Sequence, residues 1–345
     1  MKGLLSPEVP LLVFYSDPAA TQRGCGCTIQ ARDEEEEERT TTLQACECPT
    51  DACFTCGLDQ EYANDEIEIE KGQNTQPTTS APKRRPLHLL ITVCMHGNEK
   101  TGLVAMNELI KEGAIPALLN QRGVYTKLTV MVGNPRAVAE NKRFMEKNLN
   151  RIIHPTWFAR EEQLYEVRRA RLVARMGLSS DQWLDVHSTS SPCTAYALPT
   201  GNPQSEELAE RLDIGLVISK LAHHTVEGGT SCDWALQHNK EGTREAIESA
   251  KRVIMSFIVG HRLFGEKRRY VSTNQVRVRK GFRYARRVQA FEHVAYNELL
   301  AMDDEVGEIR CPFEEGAVVI MPTSAPIVGE EAWFWGRQNL EIASV

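Results

Sequence analysis

Hydrophobic and polar positions change rhythm twice along this chain. Up to about residue 85 they keep neither a helical nor a strand period; the stretch holds the run "DEEEEER" and the polar segment "KGQNTQPTTSAPKRRP". So little apolar surface against so much charge does not offset the entropy of ordering a chain, which predicts a disordered extension over residues 1–85. Within it, "LLVFY" (Leu11 to Tyr15) reads as a transient strand. From Pro86 the pattern tightens. "LHLLITVCM" is a buried strand by length and composition, and "KTGLVAMNELIKEG" follows with apolar residues at helical spacing, closed by Gly113. "KLTVMVG" is a second strand, leading through "NPRAVAENKRF" into a helix, and "EEQLYEVRRARLVARMG" is an amphipathic helix stopped by Gly177. "QWLDVH" and "AHHTVEGG" are further strands, and "EGTREAIESAKRVIMSFIVGHRLF" is a long helix. Strands alternating with helices predict an α/β domain over residues 86–265, with a mixed, mostly parallel sheet flanked by helices. After Gly265 the helical period fades. "YVSTNQVRVRK", "RRVQAFEHV", "EIRCPFEEGAVVIMP" and "AWFWGR" read as short strands, predicting a small C-terminal all-β domain over residues 266–345.

Composition narrows the function classes. The 345 residues are 41% hydrophobic and 25% charged, ordinary for a globular protein. No apolar run approaches the roughly 20 residues of a membrane span. The N-terminus is broken by Ser6, Pro7 and Pro10 and makes a poor secretory signal, so the cytoplasm is the default location. The net charge of −7 is unevenly spread: residues 1–80 hold 16 acidic and 5 basic side chains, leaving +4 on the remainder. A mildly basic body suits an anionic small substrate and is too weak for nucleic acid. No membrane partner is expected, and a homo-oligomer is left open. Of ten cysteines, six lie between Cys25 and Cys56, and the scattered Cys94, Cys193, Cys232 and Cys311 read as buried thiols of a reducing compartment. Cys46, Cys48, Cys53 and Cys56 offer enough thiolates for one tetrahedral zinc, but the loops between them are very short. Free thiols, Cys25 and Cys27 included, are the simpler reading.

Polar residues just beyond the predicted strands carry the candidate chemistry, where open α/β sheets place their sites. His96 and Glu99 follow the first strand, and His187 ends "WLDVH". Two imidazoles and a carboxylate form a set used by catalytic zinc, which keeps a fourth position for water. Asp185, on the same strand face as His187, suits an orienting acceptor. Glu227, at the end of "HTVE" and before two glycines, is the candidate general base and later proton donor. "NPRAVAENKRFMEKNLNR" offers Arg136, Arg143, Asn150 and Arg151 for a developing oxyanion or a substrate carboxylate. Each has a plainer reading. A histidine after a strand is commonly a hydrogen-bonded structural residue, Glu227 a solvated turn carboxylate, and Arg136 a structural side chain. "YEVRRA" reads as a helix with a charged exposed face and no chemistry, and His223 and His224 as ordinary turn residues.

Taken in order, "HGNE", "NPRAV…RF…LNR", "YEVRRA", "DVHST" and "VEGG" resemble the succinylglutamate desuccinylase/aspartoacylase family of zinc-dependent amidohydrolases, over roughly residues 87 to 340. The resemblance implies a zinc-carboxypeptidase-like fold followed by a small β domain. It makes His96, Glu99 and His187 the ligands of one Zn2+, Glu227 the catalytic carboxylate, Arg143 the polariser of the scissile carbonyl, and Asn150 with Arg151 the binders of a substrate carboxylate. The implied reaction is removal of an acyl group, through an amide or ester bond, from a small substrate such as an N-acyl amino acid. Rival readings are carboxypeptidase-like peptide cleavage on the same centre, or a metal-binding scaffold without turnover. Departures bear on specificity. Asn148 stands where the family has an aspartate expected to brace Arg143 or Arg151, with Glu146 as a substitute. Only Lys220 is available near an arginine position of aspartoacylases, and Met321 falls near a substrate-contacting tyrosine. N-acetylaspartate is therefore not the expected substrate. The strand–turn–strand rhythm of "EIRCPFEEGAVVIMP" resembles a biotinyl/lipoyl-like sandwich, but its turn lacks a modifiable lysine, so a structural role is expected.

Overall fold

Seven residues, "LHLLITV", form strand β2 (Leu87–Val93), buried almost throughout. Such a strand needs cover on both faces, which a parallel sheet between helices supplies. The structure, a computed structural model, describes residues 4–8, 10–15, 86–122, 124, 126–158, 164–189, 193–199, 201–220, 234–240, 243–260 and 265–338. β2 lies between β3 (Thr126–Val132) and β4 (Gln182–Thr189), parallel to both. Strand β1 (Leu11–Tyr15), the transient strand of the sequence reading, pairs antiparallel with β3 and closes that edge. Beyond β4 come β7 (Trp234–Lys240), then β5 (Tyr196–Pro199) and β6 (Leu216–Ser219), with β5 antiparallel to β7. The sheet then continues through β8 (Arg268–Arg277), β14 (Glu331–Gln338), β13 (Ala317–Ile320) and β10 (His293–Val294), giving 11 strands among the described residues. A second sheet of three strands joins β9 (Arg283–Tyr284), β11 (Leu299–Asp303) and β12 (Gly307–Arg310). The expected mixed, largely parallel sheet with C-terminal strands is thus observed. Of "RRVQAFEHV" only His293–Val294 is strand, because Phe291 takes a left-handed backbone (φ 62°) that breaks the extended run.

Helices cover the sheet where its strands are apolar. α1 (Thr101–Lys111) and α2 (Ala114–Gln121) pack on α7 (Arg244–Val259). Between them in sequence lie α3 (Pro135–Ala139), α4 (Pro155–Phe158), α5 (Tyr165–Leu178) and α6 (Pro203–Arg211). α7 is capped at its start by Thr243, whose hydroxyl accepts from the Ala246 N–H at 3.2 Å. It ends at Gly260 in the left-handed region, and Arg122 donates to the last-turn carbonyls of Phe257 (2.7 Å) and Ile258 (2.9 Å). α1 sits close enough to β4 that a Cβ at Gly102 would lie 2.8 Å from Val186 Cγ1, which fixes how the helix leaves the site loop. The C-terminal strands enclose Trp333 and Trp335, edge to face at 5.5 Å, with the Tyr284 hydroxyl donating to the carbonyls of Thr323 and Ala332. The described cysteines Cys94, Cys193 and Cys311 are thiols rather than disulfides. Among the described residues no helix is long and apolar enough to cross a membrane.

Candidate metal centre

Parallel pairing of β2 with β4 sets Val93 opposite Val186, so the loop that follows β2 starts beside His187, which is still within β4. This is how His96 and His187, 91 positions apart, come to face one another with ring centroids 5.1 Å apart. After β2 the chain turns sharply at Cys94, which takes a positive φ of 54° that costs a non-glycine residue about 1–2 kcal/mol. The Cys94 thiol donates to the Glu99 carbonyl at 3.3 Å and closes the loop on itself. Gly97 is sterically required there: a Cβ would fall 2.1 Å from the Ala137 carbonyl carbon of α3. The Gly97 N–H donates to the Arg143 carbonyl at 3.1 Å, tying the "HGNE" loop to the segment after α3.

Glu99 is the hub. Oε1 lies 2.8 Å from His96 Nδ1 and Oε2 lies 2.9 Å from His187 Nδ1. Oε1 also accepts from Arg143 Nη1 at 3.0 Å, and Oε2 from the Ser188 N–H at 3.1 Å. His96, Glu99 and His187 are 4%, 7% and 2% exposed, and one donor atom from each lies within 4.8 Å of the others. Only modest side-chain adjustment separates this spacing from a shared ion with Zn–N bonds of about 2.0–2.1 Å.

The outer nitrogens settle which atoms would bind. His187 Nε2 lies 2.8 Å from Asp185 Oδ2, and Asp185 Oδ1 accepts from the Thr92 hydroxyl at 2.6 Å. Trp183 Nε1 donates in turn to Thr92 at 2.8 Å. A carboxylate can only accept, so Asp185 suits a hydrogen on His187 Nε2, and a neutral ring of that tautomer would offer the Nδ1 lone pair to an ion in place of its contact with Glu99. On the other ring, His96 Nε2 lies 3.1 Å from Asn148 Oδ1, which also takes the Asn150 N–H at 3.0 Å. That N–H can only donate, so the amide atom is oxygen and His96 Nε2 is also a donor. With both outer nitrogens facing acceptors, each Nδ1 would exchange its Glu99 contact for an ion on metal binding. This donor chemistry fits a divalent metal that accepts nitrogen and oxygen ligands.

Charge follows the same geometry. Burial would raise the Glu99 carboxyl, but His96 and His187 together outweigh it and hold the group well below the usual carboxylate range. Burial lowers His96, with Glu99 only partly compensating. Burial would lower His187 too, yet Asp185 and Glu99 on its two nitrogens push it well above the ordinary imidazole range.

Other expected residues fall variously. Arg143 is at the site, its side chain half exposed. Asn150, expected at a substrate carboxylate, is 3% exposed and turns its amide to His187 Nε2 at 3.1 Å. Arg151 follows in the same 3-10 turn, where Nη1 donates to the Asn150 carbonyl at 3.2 Å. Asn148 braces His96 rather than an arginine, and Glu146 accepts from the Tyr165 N–H at 3.1 Å. Arg136 stacks on the Tyr165 ring at 4.7 Å. Glu227, His223, His224, the "AHHTVEGG" strand, Cys232 and the cysteines from Cys25 to Cys56 lie outside the described residues. The charges of "YEVRRA" are not all exposed: Arg168 is, but Glu166 is fully buried and Arg169 is 4% exposed, donating to the carbonyls of Gly133 (3.1 Å) and Val132 (2.7 Å). The signal was their helical register with Ala170 and Val173, which puts all four on one buried face.

Residues 87–235 match the model of the succinylglutamate desuccinylase/aspartoacylase catalytic domain. A succinylglutamate desuccinylase of Serratia proteamaculans is 28% identical over 163 residues, 44% of this chain and 47% of the relative. A probable aspartoacylase of Prochlorococcus marinus is 30% identical over 108 residues, 30% and 34% of the two chains. The chain thus spans half or less of the length of these relatives. Among solved structures, succinylglutamate desuccinylase from Vibrio cholerae superposes with a TM-score of 0.58 at 16% identity, covering 73% of this chain and 82% of the other. Murine aminoacylase 3 gives 0.56 at 16% identity, covering 74% and 97%. At these identities the superpositions speak to fold alone. Over residues 87–235 the chain matches the succinylglutamate desuccinylase/aspartoacylase catalytic domain, the family that its motifs resemble.

Proposed function

We propose that the protein is a zinc-dependent hydrolase that removes an acyl group from a small carboxylate-bearing substrate such as an N-acyl amino acid. The observation that carries this reading is the buried His96–Glu99–His187 cluster, with both Nδ1 atoms turned to one point at the ends of parallel strands. The names of the similar proteins, a desuccinylase and an aspartoacylase, support acyl removal. Zinc held by these three side chains supplies a Lewis acid for a carbonyl oxygen and lowers the pKa of a water.

The chain's own residues do the rest. Asp185 and Asn148 hold the imidazoles in the ligating tautomer. Arg143, beside Glu99 and half exposed, offers a guanidinium to the oxyanion that forms when water adds to the carbonyl carbon. Arg151 addresses the substrate carboxylate, while the buried Asn150 beside it keeps its amide on His187. Glu227 takes a proton from the attacking water and returns it to the leaving nitrogen or oxygen, so one water is consumed and an acid and an amine or alcohol are released. The reading locates this activity in the cytoplasm, on small acyl substrates.

The test is hydrolysis of a panel of N-acyl amino acids, esters and C-terminal peptides by zinc-loaded protein and by Glu227→Ala. The variant is expected to keep its zinc and lose about 10²–10⁴-fold in rate. Cleavage confined to the peptides would favour the carboxypeptidase reading. Stoichiometric zinc with no cleavage of any member would favour a scaffold, and a wild type without zinc would contradict all three.

A further inference from the structure

The first turn of α5 faces the loop that carries the site. Glu166 there is fully buried, and among the described residues its partners are all N–H groups. Oε1 accepts from the Met145 N–H at 2.6 Å and from Asn134 Nδ2 at 3.3 Å. Oε2 accepts from the N–H groups of Glu146 (3.2 Å) and Lys147 (3.4 Å). The grip is returned when the Glu146 carboxylate accepts the Tyr165 N–H at the start of the helix. A buried carboxylate without a cation is costly, so a position where it spans consecutive amides is a demanding one.

What those amides hold is the point. The gripped segment runs between Arg143 and Asn148. Arg143 places Nη1 3.0 Å from Glu99 Oε1 and its carbonyl on the Gly97 N–H, while Asn148 places Oδ1 3.1 Å from His96 Nε2. Pinning the main chain of Met145–Lys147 therefore fixes both neighbours relative to two of the three donor side chains. We infer that Glu166 is a positioning residue of the metal centre, acting through the backbone of Met145–Lys147 on Asn148 and Arg143. The inference rests on reading His96, Glu99 and His187 as a zinc site.

The test uses the full chain as wild type, Glu166→Gln, Asn148→Ala and the double variant. Zinc affinity is measured by chelator competition, and amide exchange is followed across residues 145–147. Glutamine keeps the shape but offers one acceptor oxygen instead of two. Glu166→Gln is expected to speed exchange at residues 145–147 without changing that of β2. Each single variant is expected to weaken zinc by about tenfold, as loss of outer-shell partners does. The double variant should fall well short of the product of the two losses, because both act along one path. A residue that only stabilises the fold would lower the melting temperature and leave zinc affinity alone, or give losses that multiply, and either result overturns the inference. Should Glu166→Gln not fold, the wild type decides: amides at 145–147 exchanging as slowly as those of β2 support the grip, and loop-like exchange overturns it. If Asn148→Ala weakens zinc and Glu166→Gln does not, this inference alone fails. A wild type that takes up no zinc overturns the metal reading and the inference together.

Discussion

His96 and His187 meet the same carboxylate, but the groups behind them differ, and the difference makes the two imidazoles unequal. Asp185 places a negative charge on His187, whereas Asn148 offers His96 only a neutral amide oxygen. Replacing Asp185 by Asn should weaken zinc binding about 10–100-fold, and Asn148→Asp should strengthen it, because a more basic ring is the better donor. Chelator competition on both variants checks this, and equal effects of the same sign would contradict it. The pH dependence follows from the raised pKa of His187. Without metal, protonated His187 stabilises the fold below the ordinary imidazole range, and that contribution fades as pH rises through the raised value. Zinc makes the opposite demand, since it needs the Nδ1 lone pair. Zinc affinity should therefore climb with pH until His187 has lost its proton, with proton release seen by calorimetry in buffers of different ionisation enthalpy. His96, Glu99 and His187 were legible in the sequence because ligand-type residues stood just past apolar strands. Glu166 was not, because a glutamate in the first turn of a helix ordinarily faces solvent and favours the helix dipole from there.

Elements were legible in proportion to their length. β2, β3, β4 and α7 carry enough apolar residues to show a period, whereas β5 and β6 are fully buried strands of four residues that show none. α6 left a signal that composition alone hides: Asn202 caps it, accepting from the Ser205 N–H at 2.8 Å, and Pro203 follows. The C-terminus of α7 shows what tertiary structure adds to such signals. Gly260 ends the helix locally, but Arg122, far away in sequence, closes its carbonyls, and burial pulls that guanidinium down to about 10. Gln182 Oε1, at the start of β4, accepts from the same side chain at 2.8 Å. Arg122→Ala should cost about 2–4 kcal/mol, from charge-assisted bonds worth roughly 1.5–3 each less their partial exposure. Urea unfolding measures this, and a loss below about 0.5 kcal/mol, the range of ordinary surface changes, would show that the cap is idle.

Across the whole molecule, the sheet leaves no seam where the sequence changes rhythm. β6 pairs with β8, and β8 with β14, so hydrogen bonds run unbroken from β4, which carries His187, to the strands that enclose Trp333 and Trp335. The shift in periodicity near Gly265 reflects helices giving way to turns as connections, and that change does not tell whether the later strands join the earlier sheet. An unbroken ladder has a consequence for linkage. A ligand that binds only the folded chain stabilises whatever unfolds together with its site. Zinc at a thousand times its dissociation constant contributes about 4 kcal/mol, which slows amides that exchange by global opening about a thousandfold. If the 11-stranded sheet opens as one unit, amides of β14 should slow by the same factor as those of β4 when zinc replaces chelator. Exchange mass spectrometry on peptides from the two strands makes the comparison directly. Protection that appears in β4 and leaves β14 unchanged would mean that the C-terminal strands open by themselves, and residues 266–345 would then be an independent folding unit despite the shared sheet.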